Sequence, residues 1–439
     1  MSNVFPDPAA LIPSLDGLPA PWSLMALLLF VTFVLHLVLM NAVVGVAALT
    51  LLAKLRVIAP LRVKPHGDAS HGEHPPDLLL PKGVAFVVNF GIPPFLFMQC
   101  IYGQYIYASS VQMALWWLSV MLIVMLAYYG LYINMYRGGL GRAARTTALA
   151  ISVCLLLWNA FLFVNNMTLL QNPANWAAYA HNASGTLLNT ADPQVLPRYL
   201  HVVLSCLAVG GLALAVPAAW SLGRMAKQGG DPKDALPLLE NKRRALRWFF
   251  YATLAQLPVG AWFFMALPQE QRAAFMGGDG LGTTLFAASI AVTALCLVSS
   301  WREKAWATIW GALLAIAMMA GMRTILRSSM LEPYYAPHMR EFDLGPLLLF
   351  GGALVLSFAA LFWLARVYWR HRPVPGEPGF DPDAQECPPE YQHGDPELIR
   401  KVVYMRKREA LMVVELALGG KDDEDDAADA DANRGGATS

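Results

Sequence analysis

The chain has 439 residues, of which 56% are hydrophobic and 14% are charged, and its formal net charge is +1. A soluble domain usually carries roughly 25% charged residues, so this balance excludes an ordinary soluble domain and points to lipid. The near-zero net charge says nothing about partners, and no nucleic-acid partner is expected; the distribution of charge along the chain is far more informative.

Residues 1–21 contain no basic segment and no clear cleavage site, so no signal peptide is expected and the first apolar run is a retained helix. Apolar runs long enough to cross roughly 30 Å of hydrocarbon then follow at about 22–54, 84–108, 112–136, 146–168, 196–223, 244–267, 282–300, 303–326 and 345–370. Only SSWREK separates the seventh from the eighth, and its Arg302, Glu303 and Lys304 predict a tight polar turn. The expected fold class is all-α: a polytopic membrane bundle of about nine transmembrane helices over residues 22–370. A periplasmic segment (1–21) precedes it, and a cytoplasmic tail (371–439) with a disordered acidic end follows. No internal repeat is evident.

Orientation follows from the bias of Lys and Arg toward the cytoplasmic side. With the N-terminus outside, 27 of the 32 Lys and Arg fall in cytoplasmic segments, leaving Arg198, Arg272, Arg323, Arg327 and Arg340 outside. The N-terminus is therefore expected in the periplasm and the C-terminus in the cytoplasm of a bacterial inner (cytoplasmic) membrane. The external segment 169–195, rich in amides and Ala, is expected to lie over the membrane face as a lid.

The five cysteines (Cys100, Cys154, Cys206, Cys296 and Cys387) form no CxxC and no CxxCH. No disulfide framework, zinc ribbon or covalent haem attachment is implied. Ionisable side chains inside a span are costly and mark functional positions. His36 lies mid-span in LLLFVTFVLHLVLMNAVVGVA, and His201 lies near the outer end of the fifth span in PRYLHVVLSCLAVGG. A neutral imidazole in an apolar bundle suits an axial haem ligand. The alternative for each is a buried histidine bonded to a neighbouring backbone carbonyl.

TFVLHLVLMNAVVG, with His36 and Gly45, resembles the first helix of cytochrome bd subunit I. RYLHVVLSCLAVGGLALAVPAAW, with His201, Ser205, Gly210 and Trp220, resembles that family's fifth helix. LLQNPANW (Gln171, Asn172, Pro173) resembles its turn after the fourth helix. NFGIP (Asn89 to Pro93) and YYGLY around Gly130 are similar to parts of its second and third. The resemblance covers most of 22–270 and weakens beyond. It implies b-type haem, one or more per chain, with His36 and His201 as iron ligands.

The departures are informative too. The family's two third-helix glutamates have no counterpart; by spacing they fall near Trp117 and Met125, and no Asp or Glu occurs between Asp77 and Asp192. Reduction of oxygen to water consumes protons, which buried sites receive through titratable groups. The family's eighth-helix glutamate ligand is replaced at Met319, which either ligates haem or fills a core gap. Its seventh-helix methionine has no clear partner, leaving Met276 as a substitute. The long external quinol loop is reduced to PQEQRAAFMGGDG.

Arg323 and Arg327, at i and i+4, share a helix face. They and Arg198 are candidates for haem propionates or partner docking, the alternative being arginines that snorkel to headgroups. Trp116, Trp117, Tyr128, Tyr129, Tyr334 and Tyr335 read first as an interfacial belt. HGDASHGEH, with His66, Asp68, His71, Glu73 and His74, is a flexible polar loop or a divalent-metal site.

The sequence thus predicts a haem b subunit of a respiratory electron-transfer complex without oxygen reductase activity. It would work between membrane quinol and a periplasmic redox partner, with other respiratory subunits and a c-type cytochrome as partners. A divergent quinol:oxygen oxidoreductase and a haem-free transport or structural subunit are the alternatives.

Overall fold

The computed structural model describes residues 17–59, 79–135, 139–228 and 232–370. The metal-site alternative at His66–His74 and the tail beyond 370 lie outside these. Among the described residues nine helices are long and apolar enough to cross a membrane, and no strand is present. They are α1 (Trp22–Lys54), α2 (Leu80–Gln112), α3 (Ala114–Met135), α4 (Arg142–Gln171), α5 (Val195–Gln228), α6 (Pro232–Ala266), α8 (Gly280–Trp301), α9 (Ala305–Leu331) and α10 (Leu344–Arg370). A five-residue helix, α7 (Gln269–Ala273), sits in the connection before α8. The chain is thus an all-α polytopic membrane bundle.

Two compact units meet between Leu348 and Leu349. The second contributes the rest of α10, which is apolar up to Arg366 apart from Ser357 and ends at Arg370. The first holds all the other helices. The upper end of this unit is the end at which α1 begins. Helices α1, α3, α5 and α8 run down from it, and α2, α4, α6 and α9 run back up. α5 packs most extensively, against α6 and α1, while α1 also meets α2, α4 and α9.

These central contacts depend on glycine. A Cβ at Gly210 would lie 2.4 Å from the carbonyl carbon of Gly45, and one at Gly211 would lie 2.7 Å from the Ala245 carbonyl oxygen. Helices that cannot gain from hydrophobic transfer inside lipid associate through such close backbone approach. Beside the crossing the Cys206 thiol meets the Asn41 side-chain oxygen at 3.2 Å, so the one polar group of α1 at this depth is paired across the interface.

The turn at SSWREK forms as the sequence predicts. α8 stops at Trp301, Glu303 takes φ of +59°, and the Glu303 and Lys304 amides donate back to the Ser300 and Ser299 carbonyls. A left-handed residue with such return bonds satisfies carbonyls that a helix end leaves open.

The upper end is built more elaborately. α2 breaks at Tyr102 (φ −121°, ψ 27°), which withdraws carbonyls from its ladder. The Tyr335 hydroxyl donates to the Ile101 carbonyl at 2.6 Å, and Arg340 donates to the Cys100 carbonyl at 3.2 Å and to the Tyr335 oxygen at 3.1 Å. Tyr335 therefore serves a specific helix break. Segment 169–195 covers this end through a 3-10 turn, Pro173–Ala180. Its buried Trp176 stacks near Tyr105 and donates to the Leu169 carbonyl at 2.9 Å.

Candidate functional site

Nine residues, about two and a half helical turns, separate His36 from Gly45 and His201 from Gly210. Each histidine therefore projects from the side of its helix opposite the α1–α5 crossing. The contacts agree. The His36 ring packs on Gly91 of α2, where a Cβ would fall 2.9 Å from its Cε1, and its Nδ1 lies 3.2 Å from the Val87 carbonyl. His201 lies on the α6 side of α5, between Arg198, whose guanidinium sits 5.1 Å from the Phe263 ring, and Ser205, which donates to Gln256 at 3.0 Å. The two imidazoles thus meet different neighbours, His36 on α2 and His201 beside α6.

His36 makes the backbone-carbonyl bond that the plain alternative requires. The same bond fixes a tautomer: Nδ1–H donates to Val87 and the lone pair is left on Nε2. That is the arrangement by which proteins orient a metal-ligating histidine. His201 differs, because its Nδ1 is buried and has no hydrogen-bond partner. A buried ring nitrogen left unpaired costs roughly 1–3 kcal/mol.

Above the histidines lie three arginines. Arg327 is 4% exposed, its Nη1 donates to the Met98 sulfur at 3.3 Å, its guanidinium covers Tyr102 at 4.6 Å, and its Nε has no partner. Arg323 covers Phe33 at 4.4 Å. Arg198 donates to Thr168 at 3.2 Å, Gln171 at 2.9 Å and Gln194 at 3.2 Å, all neutral oxygens. Arg198 and Arg327 are close enough to act on Arg323 as like charges. The ion pairs seen among the described residues, Arg243–Glu303 and Arg244–Glu240, include none of the three. The nearby carboxylate, Asp192, accepts from Asn175 at 3.0 Å and the Gln194 amide at 2.9 Å, and is close enough to act on Arg198 as an opposite charge without a direct ion pair. The arginines turn inward and do not snorkel.

Helix geometry places the ligand candidates relative to this layer. His36 follows Phe33 by three residues and His201 follows Arg198 by three, both on descending helices, so each lies roughly 4.5 Å deeper. Met319 precedes Arg323 by four on ascending α9 and so lies roughly 6 Å deeper on the same face. Met276 is not brought to this layer: it is 69% exposed, in a π-type turn at Ala274–Gly278.

Among the described residues no three His, Cys, Asp or Glu side chains gather as a polydentate metal site. Haem requires only one or two axial side chains and cationic company for its propionates. The donor set fits it: a tautomer-fixed imidazole, a second imidazole with an orphaned nitrogen, and arginines that form no ion pair. A surface cavity of about 590 Å³ lies elsewhere, lined by Leu55, Thr146, Ile151, Cys154 and Trp158 among others. Sequence reasoning finds the histidines and arginines but misses their partners Phe33, Gly91, Met98, Tyr102 and Phe263. Of these, only Gly91, inside NFGIP, carries a signal. No protein-family model and no curated protein matches the chain.

Proposed function

We propose that this membrane protein is a haem b-binding subunit of a respiratory electron-transfer complex in the bacterial inner membrane, similar in plan to cytochrome bd subunit I. The observation that carries the reading is the layer of Arg198, Arg323 and Arg327. Ionisable side chains within a span are costly, and here three arginines gather near the upper ends of their helices, none of them in an ion pair, while Arg327 keeps an unpaired Nε. An anion is needed to offset that cost, and the ligating side chains one turn below point to one carrying both carboxylates and iron. When bound, haem supplies one-electron chemistry. The chain's own part is to offer His36 and His201 as axial ligands, with Met319 as a further candidate; Met276, exposed and away from this layer, is left apart. It also holds carboxylates at the arginine layer and keeps the pockets dry.

The absence of Asp and Glu between Asp77 and Asp192 supports electron transfer without oxygen reduction, between membrane quinol and a periplasmic partner such as a c-type cytochrome. Oxygen consumption by the purified complex with a quinol would restore the oxidase reading. The primary test is a reduced-minus-oxidised spectrum of purified protein with pyridine haemochrome quantitation. The expected result is b-type haem, with His36→Ala and His201→Ala each removing about one equivalent. A chain without any Soret band would leave a haem-free subunit and end this proposal.

A further inference from the structure

At the lower end, α6 carries Arg243, Arg244 and Arg247 into a cavity of about 440 Å³, completed by Ala59, Trp248 and Tyr251. The three cations are not equivalent. Arg243 pairs with Glu303 at 3.1 Å and Arg244 with Glu240 at 2.7 Å, both pairs largely exposed. Arg247 has no acidic partner among the described residues. Its guanidinium lies flat on Trp301 at 3.5 Å, and its Nη1 is buried without an acceptor. The cavity thus presents one unneutralised charge, one orphaned donor, and two arginines in exchangeable surface pairs.

Its surroundings define what it takes. Trp301, about half exposed, closes α8 at the lower end, where such residues sit at headgroup depth, and Tyr251, about half exposed, lies one turn beyond Arg247 on α6. Basic pockets between helices at that depth suit anionic headgroups, and a guanidinium fork matches two oxygens of a phosphate. We propose that this cavity binds the phosphodiester of an anionic phospholipid, with Arg247 as the central contact, Arg243 and Arg244 at its rim, and the aromatics against its glycerol and upper acyl carbons. The proposal does not rest on the haem reading.

The test is native mass spectrometry of the delipidated full chain titrated with dioleoyl phosphatidylglycerol, dioleoyl phosphatidylcholine or inorganic phosphate. The wild type is expected to retain phosphatidylglycerol over phosphatidylcholine, as is Arg224→Gln, which removes an exposed charge outside the cavity. Arg247→Gln is expected to weaken phosphatidylglycerol binding at least about fivefold, the equivalent of the ~1 kcal/mol of one basic contact. Should Arg247→Gln not yield monodisperse protein, the exposed Arg244→Gln is expected to give about the same loss. Unchanged retention in the variants, or equal retention of phosphatidylcholine, overturns the proposal. Displacement of the lipid by equimolar inorganic phosphate would assign the site to the free ion and overturn the lipid source.

Discussion

Gly45 and Gly210 meet backbone to backbone where α1 crosses α5, with no room for a single methyl group between them. Overpacking a tight core costs typically about 1–3 kcal/mol when side chains can adjust, and here the obstructing atoms are backbone. Gly210→Ala is expected to lower the apparent melting temperature in detergent and to reduce yield. Gly223→Ala, on the same helix with nothing within 4 Å, is expected to leave both unchanged. Differential scanning fluorimetry of the two variants decides the matter; equal melting would mean the helices do not cross here.

Arg327 offers a prediction of sign. Replacing a buried ion that has no partner by an apolar side chain is neutral or stabilising, whereas removing one member of a buried pair costs about 3–5 kcal/mol. In a haem-loaded protein whose propionate pairs with Arg327, Arg327→Met is expected to lower stability and haem retention together. Thermal unfolding followed at both the protein and Soret wavelengths reads the two effects. A variant more stable than wild type would show that the arginine has no anion to hold.

Much of the fold was legible in the sequence, because hydropathy alone marks a span and the charged triplet Arg302–Lys304 marks the one short turn. Helix ends were not. α2 runs from Leu80 to Gln112 although its apolar run covers 84–108; the helix continues through Ser109, Ser110 and Gln112, which hydropathy reads as the edge of the membrane. Site partners were hidden for another reason. Val87 lies 51 residues from His36 and Met98 lies 229 from Arg327, and helices apolar on every side carry no periodicity to say which face turns inward. The spacing of Arg323 and Arg327 shows a shared face, but not that it faces Phe33 and Tyr102.

The clamp on the α2 break gives a prediction in pH. Burial holds the Tyr335 phenol above the usual tyrosine range, against the opposing hydrogen bond and charge of Arg340. A tyrosine raised in the folded state contributes stability that is complete below its unfolded pKa near 10 and is lost as pH climbs through the folded value. Tyr335→Phe is expected to cost about 1 kcal/mol at pH 7, where the Ile101 carbonyl loses its closer donor and keeps only Arg340 at 3.5 Å. The difference from wild type is expected to shrink above roughly pH 10. Melting temperatures of both proteins at pH 7 and at alkaline pH would test this; a constant difference would refute the linkage.

Orientation is open to a direct check. The Lys and Arg bias places the upper end in the periplasm. Ser184→Cys, exposed in the upper connection, is expected to react with an impermeant maleimide in intact spheroplasts. Arg224→Cys, exposed at the lower end of α5, is expected to react only after the membrane is opened. The reverse pattern would invert the topology.

The glycine crossing also acts as a gauge. Packed helices normally keep their axes 8–10 Å apart, and a residue on the far face of each adds its own reach to that gap. By letting backbones touch, Gly45 and Gly210 bring the outward faces of α1 and α5, and with them His36 and His201, nearer than leucine-packed helices would allow. Any two electron carriers bound there would be insulated by no more than two helix thicknesses. A bulkier residue at the joint would therefore move the two histidines apart as well as loosen the fold.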